Sequence, residues 1–129
     1  MSSDDVLERD LVIDEARLVT FLGPDLRVYG TPRMLLDVEM ACRDLLLQHL
    51  ADGNDSVGVG AQLQHLGGAV EGDTVHIRVH MTQFDGRRAE FEAEVSRKGA
   101  VIGSFTHQRA VMPLDKLKKR IAAMKQDQA

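Results

Sequence analysis

Between Thr31 and Leu50 the chain reads TPRMLLDVEMACRDLLLQHL, with apolar residues recurring at helical spacing around most of the circumference. At 100° per residue, Met34, Leu35, Val38, Ala41, Cys42, Leu45 and Leu46 form one wide stripe. Leu36, Met40 and Leu47 form a second patch, and only the edge bearing Asp37, Asp44 and Gln48 is polar enough to face water. The pattern predicts a buried central helix. Thr31 is a good N-cap, Pro32 fits the first helical position, and the turn-forming run ADGND follows Leu50.

Downstream of the helix the period changes to two. From Ser56 to Leu66, Val57, Val59, Ala61 and Leu63 alternate with Gly58, Gly60, Gln62 and Gln64, which predicts a strand with small residues on one face. Gly67-Gly68 break it, and Glu71, Gly72 and Asp73 form the turn before Thr74 to Phe84, where Val75, Ile77, Val79 and Met81 point inward. Asp85-Gly86 is a hairpin signal. The chain returns from Arg87 to Arg97 with Phe91, Ala93 and Val95 inward, then turns at Lys98-Gly99 into Ala100 to Met112. Pro113 closes the sheet, and Leu114, Leu117, Ile121 and Met124 mark a tail helix over 113–127, read as a solvated, lysine-rich helix docked at one edge.

Upstream the signal is weaker. Residues 1–8 are polar and read as loose, while Leu11 to Leu22 read as an interrupted strand running toward a Gly23-Pro24-Asp25 turn. The whole is a single α+β domain over residues 1–129. One strand, one long apolar helix and a long antiparallel sheet can bury that helix only if the curved sheet wraps around it. That arrangement is the hotdog fold.

The length of 129 residues suits one domain with a real core, and a net charge of -4 with both signs interspersed leaves no footprint for nucleic acid or an anionic membrane. The lone cysteine, Cys42, excludes an intrachain disulfide and reads as a small core residue rather than a nucleophile. No apolar run approaches the ~20 residues of a membrane span, and the acidic start MSSDDVLERD is unlike a signal peptide, so a cytoplasmic location is expected.

Glu39 is the first candidate for chemistry. A carboxylate lying among Leu35, Leu36 and Leu46 on the wheel should be partly desolvated, which raises its pKa toward a value useful for acid or base work; an i,i+4 ion pair with Arg43 explains it equally well. His65 ends the glycine-containing strand and by itself reads as a hydrogen-bonded core histidine. Thr31 reads first as a cap, although a hydroxyl held beside the free N–H groups of a helix N-terminus suits a developing oxyanion. Gly58 and Gly60 either expose backbone N–H groups as an oxyanion hole or admit close helix packing. Arg109, in alternation with His107, reads as an interface arginine ahead of a phosphate- or carboxylate-binding one. His49, His76 and His80 read as surface or interface residues with spacing unsuited to a metal, and none is assigned.

Taken together, Thr31, Glu39, Gly58, His65 and the run GSFTHQRAV from Gly103 to Val111 resemble the fluoroacetyl-coenzyme A thioesterase branch of the hotdog thioesterase superfamily. The resemblance runs from about Val28 to Leu117 and includes the DGRR hairpin. It implies hydrolysis of an acyl-coenzyme A thioester by water, with no cofactor beyond the coenzyme A of the substrate. The family's catalytic threonine, glutamate and histidine fall on Thr31, Glu39 and His65, and its backbone glycine near the thioester falls on Gly58. Glu39 is thereby implied as general base or nucleophile, His65 as its acid-base partner, Thr31 as a positioning hydroxyl and the Gly58 N–H as an oxyanion contact.

Tyr29, Gly60 and Arg109 join Gly58 as candidate substrate contacts. The family closes its pocket with phenylalanines in a lid before the helix. Here the corresponding loop, LGPDLRVYGT, offers Tyr29 and leucines, so fluoroacetyl specificity does not carry over. Thr31 and Glu39 are eight residues apart on one helix, roughly 12 Å along its axis, too far for a direct hydrogen bond. A homodimer, or a dimer of dimers, that completes the site between copies is the expected assembly. Two other functions fit the same groove: an acyl-thioester or ligand-binding module without turnover, and, ranked well below, a hydratase or dehydratase.

Overall fold

A computed structural model describes residues 5–128. Its elements are β1 (Val6–Val12), α1 (Thr31–Leu47), β2 (Asn54–His65), β3 (Thr74–Phe84), β4 (Arg88–Arg97), β5 (Ala100–Pro113) and α2 (Leu114–Asp127), with a short 3-10 turn at Glu15–Arg17. The strands form one antiparallel sheet in the order β1-β3-β4-β5-β2. α1 packs against all five of them, as the expected hotdog arrangement requires.

The core lies between one stripe of α1 and the inner face of the sheet. Met34, Val38, Ala41, Cys42, Leu45 and Leu46 are fully buried against Val75, Ile77 and Val79 of β3, Phe91 and Val95 of β4, and Ile102 and Phe105 of β5. Burying each large side chain is worth about 1.5–3 kcal/mol, so this stripe fixes how α1 lies on the sheet. Gly103 lets the helix sit close, because a Cβ there would stand 2.7 Å from Met34 Sδ. The second apolar patch is not covered by the chain itself: Leu36 is 44% and Met40 37% exposed.

Several boundaries and faces differ from the sequence reading. The first strand is Val6–Val12, beginning among residues expected to be loose; residues 1–4 lie outside the described residues. Its alternation is disguised because Arg9 shares the inner face with Leu7 and Leu11, where it meets Asp44 of α1 at 2.9 Å. Leu11 to Leu22 instead holds the end of that strand, the 3-10 turn and an isolated bridge between Leu18 and Tyr29. α1 ends at Leu47, and i→i+3 hydrogen bonds from Gln48, His49 and Leu50 tighten the chain beyond it. Asp37, expected on a wet edge, has a carboxylate only 10% exposed because Arg17 and the Tyr29 hydroxyl close over it.

β2 carries the correction that matters most for the site. Its pairing with β5 slips between Gly58 and Gly60, leaving Val59 as an extra residue in a bulge. Before the bulge, Ser56 and Gly58 share the inner face with Arg109. After it, Ala61, Leu63 and His65 take over, opposite His107, Phe105 and Gly103. Val59, at the bulge, is 47% exposed. Gly58 and His65 are seven positions apart, so an unbroken strand would set them on opposite faces; the bulge brings them to one.

Candidate functional site

The helix begins one residue earlier than its caps suggest. Gly30 is the N-cap, with Met34 N–H donating to its carbonyl at 2.9 Å, and Thr31 is already helical. No side chain caps this end, so the Thr31 hydroxyl is not spent on the helix. Thr31 Oγ1 lies 2.8 Å from His65 Nδ1, joining the first turn of α1 to the last residue of β2. Either atom can donate, depending on which ring nitrogen carries the proton.

Tyr29 supports this pair from behind. Its ring meets that of His65 edge-on at a centroid distance of 6.4 Å, and its hydroxyl donates to Asp37 at 2.6 Å. Arg17 grips the same carboxylate through Nε and Nη2. Burial, reinforced by Asp37, raises the Tyr29 pKa, and the ring is 1% exposed. Tyr29 is therefore a fixed strut. The loop before it presents Phe21, Leu22 and Leu26 to solvent, with Phe21 81% exposed. The strand pattern from Leu11 to Leu22 includes Phe21 and so hides it from a reading of this loop.

Glu39 belongs to a second cluster, two turns further along α1. Arg43 does not pair with it; that guanidinium is bound to Asp55 through Nε at 3.0 Å and through Nη2, which holds the Asp55 carboxyl below its usual range. The partner of Glu39 is Arg109, with Nη1 3.5 Å from Oε1. Arg109 is 4% exposed, which fits a structural guanidinium rather than a surface one. It donates from Nε to Ser56 Oγ at 2.7 Å, from Nη2 to the Ser56 carbonyl at 2.9 Å and from Nη1 toward His107 Nε2 at 3.1 Å.

Gly58 is the floor of this cluster. A Cβ built there would stand 3.2 Å from His107 Cε1 and 3.5 Å from Glu39 Cδ. Gly60 lies on the other face of the sheet, paired with Gln108, and engages the cluster by its carbonyl, which accepts from His107 Nδ1 at 2.7 Å. Cys42 is buried on α1, and burial pushes its thiol up to about 12, which rules against a nucleophilic thiolate.

The chain thus presents two half-sites: Thr31 with His65, and Glu39 with Arg109 over Gly58. Eight helical residues, about 12 Å of rise, separate Thr31 from Glu39. A cleft of about 270 Å³ on the outer face of the sheet, lined by Arg78, His80, Glu92 and Thr106, contains none of these residues. β2, which supplies His65 and Gly58, is one of the two edge strands of the sheet, and the exposed patch of Leu36 and Met40 lies on the helix that carries Thr31 and Glu39.

Comparison with known proteins places the fold and the sequence in one family. The family model for fluoroacetyl-CoA-specific thioesterases matches residues 13–115. The fluoroacetyl-CoA thioesterase of Streptantibioticus cattleyicolor is 27% identical over 119 residues, 87% of this chain and 86% of that one. Among solved structures, a fluoroacetyl-CoA thioesterase superposes with a TM-score of 0.85 at 25% identity, covering 95% of this chain and 96% of the other. A Thermus thermophilus protein described as a thioesterase superfamily member superposes with a TM-score of 0.87 at 25% identity, covering 95% and 91%.

Proposed function

Because the chain belongs to the fluoroacetyl-CoA-specific thioesterase family, we propose that it hydrolyses the thioester of a small acyl-coenzyme A, using Glu39, His65 and Thr31 at a site shared between two copies. The observation that carries this reading is the 2.8 Å contact between Thr31 Oγ1 and His65 Nδ1 at a helix N-terminus that no side chain caps. Nothing in the helix needs that hydroxyl, whereas an acyl-transfer site needs a positioned hydroxyl and imidazole beside N–H donors.

In this mechanism the acyl carbonyl lies against the inner face of β2, polarised by the Gly58 backbone N–H. Glu39, held toward Arg109, either removes the proton of an attacking water or attacks the carbonyl itself to form an acyl-enzyme anhydride that water then opens. Coenzyme A leaves as its thiol, protonated through His65, and the carboxylic acid is the second product. One turnover in heavy-oxygen water labels the Glu39 carboxylate if it is the nucleophile and water opens the anhydride at its Cδ, and never if Glu39 is only the general base. Phe21, Leu22 and Leu26 are the apolar groups the preceding loop offers for covering an acyl chain.

Pairing of the β2 edges of two copies would cover Leu36 and Met40 and bring Glu39 of one chain toward Thr31 and His65 of the other. The test of function is thiol release from short, branched and aromatic acyl-coenzyme A esters. The reading expects turnover of at least one ester and a loss of roughly a hundredfold or more in kcat for Glu39→Ala. Tight binding of the esters without thiol release, unchanged by Glu39→Ala, would favour a binding module instead.

A further inference from the structure

His107 is buried, uncharged in its bonding pattern, and used by none of the steps above. Its Nδ1 lies 2.7 Å from the Gly60 carbonyl, which can only accept, so the proton sits on Nδ1. Its Nε2 is then a lone pair, and Arg109 Nη1 donates to it at 3.1 Å. The same Nη1 is the atom that faces Glu39 Oε1. The ring is 1% exposed and held between Phe91 and Phe105, at centroid distances of 6.0 and 5.4 Å.

We propose that His107 is a positioning residue for the reaction: through one ring it anchors the β2 bulge at Gly60 and aims Arg109 at Glu39. The two ends of the imidazole do different work. Nδ1–H holds the bulge that turns Gly58 to the inner face, and Nε2 fixes the guanidinium that meets the carboxylate. Rotating the ring or protonating Nε2 would set donor against donor and cation against cation at Arg109. The charged groups acting on the ring are Arg109 on its own strand and Glu39 on α1, while β2 and β4 meet it with the Gly60 carbonyl and Phe91. Burial, the largest effect, lowers the pKa of the imidazole against the opposing pull of the Gly60 carbonyl, and Arg109 adds to the lowering, in keeping with the neutral ring that the hydrogen bonds require.

This inference rests on the thioesterase reading for its catalytic consequence, but its geometry can be measured apart from activity. His107→Leu removes the donor and the acceptor, whereas His107→Gln keeps one of each on an uncharged side chain. The expected result is a fall of roughly ten- to hundredfold in kcat for His107→Leu with KM changed far less, and recovery of most of that loss in His107→Gln. In nitrogen-15 spectra the wild-type His107 ring should be the Nδ1–H tautomer. The Arg109 Nε–H resonance should move in His107→Leu and stay near its wild-type place in His107→Gln.

Wild-type kcat in a folded His107→Leu protein, with Arg109 unmoved, would overturn the positioning role and leave the thioesterase reading standing. A wild-type protein inactive on every ester, with the Nδ1–H tautomer present and Arg109 responding as described, would overturn the thioesterase reading and keep the arrangement. If His107→Leu does not fold, an Nε2–H tautomer in the wild type, or a His107→Gln protein with neither kcat nor the Arg109 resonance preserved, contradicts the proposal.

Discussion

Thr31 Oγ1 stands 2.8 Å from His65 Nδ1, so the helix that passes through the core and the strand that edges the sheet meet through one hydroxyl and one imidazole. Because Gly30 occupies the N-cap, this contact replaces the capping role that a threonine before a proline normally has. Thr31→Ala should therefore lower kcat by roughly tenfold or more while changing stability by less than about 0.5 kcal/mol. Thr31→Ser should restore kcat. A loss of about 1 kcal/mol in denaturant unfolding, with kcat intact, is what a simple cap would give.

The two best-defined histidines impose opposite pH dependences on stability. His76 Nε2 meets Glu8 at 3.0 Å and Nδ1 meets Asp10 at 2.8 Å, and these bonds, Glu8 first, raise its pKa above the ordinary 6.5. The folded state holds that proton more tightly, so the contribution is complete below 6.5 and disappears as the pH rises through the raised value. Burial lowers the pKa of His107, so its contribution is complete above 6.5 and disappears as the pH falls through the lowered value. In thermal unfolding followed against pH, His76→Gln should flatten the alkaline decline and His107→Gln the acid one. Curves parallel to wild type would contradict both assignments.

Two glycines separate packing from chemistry. Gly103→Ala would drive a Cβ to 2.7 Å from the buried Met34 Sδ and should cost about 1–3 kcal/mol, seen as a lower unfolding temperature. Gly58→Ala meets only the edge of His107, at 3.2 Å, and Glu39, at 3.5 Å, so its stability loss should be smaller. Its loss of kcat should be the larger of the two, because the groups that must give way belong to the site. Equal activity losses in the two variants would argue against Gly58 lying under the substrate.

The parts of this fold that repeat one rule were readable in advance. β3 spans Thr74–Phe84 as its alternation of Val75, Ile77, Val79 and Met81 predicts, and α2 starts directly after Pro113. What escaped were places where a distant residue alters the rule. Arg9 sits on an inner face because Asp44 neutralises it, and Asp37 leaves the wet edge because Arg17 and Tyr29 reach it. The bulge at Val59 changes which face every later residue of β2 presents; the glycines on either side of it are compatible with a bulge but equally with close helix packing.

The candidate residues were likewise legible as a set, while their partners were not. Glu39 stood out as a carboxylate among leucines, but its choice of Arg109 over Arg43 depends on Asp55 claiming Arg43 first. Arg109 reads from sequence as an interface arginine because nothing nearby in sequence reveals the Ser56 oxygens that receive it. His107, one alternation away, was passed over for the same reason: its partners are the bulge carbonyl and Arg109 rather than any sequence neighbour pattern.

Glu39 and the Thr31–His65 pair lie about 12 Å apart along one helix, so the shared site is the part of the account most exposed to a direct test. Differently tagged Glu39→Ala and His65→Ala chains, each inactive alone, can be mixed and the verified heterodimer purified for assay with an acyl-coenzyme A ester that the wild type turns over. One chain then supplies an intact Thr31–His65 pair and the other an intact Glu39. The account predicts that thiol release returns to about half the wild-type rate per dimer, one working site of two. A heterodimer as inactive as its parents would contradict it.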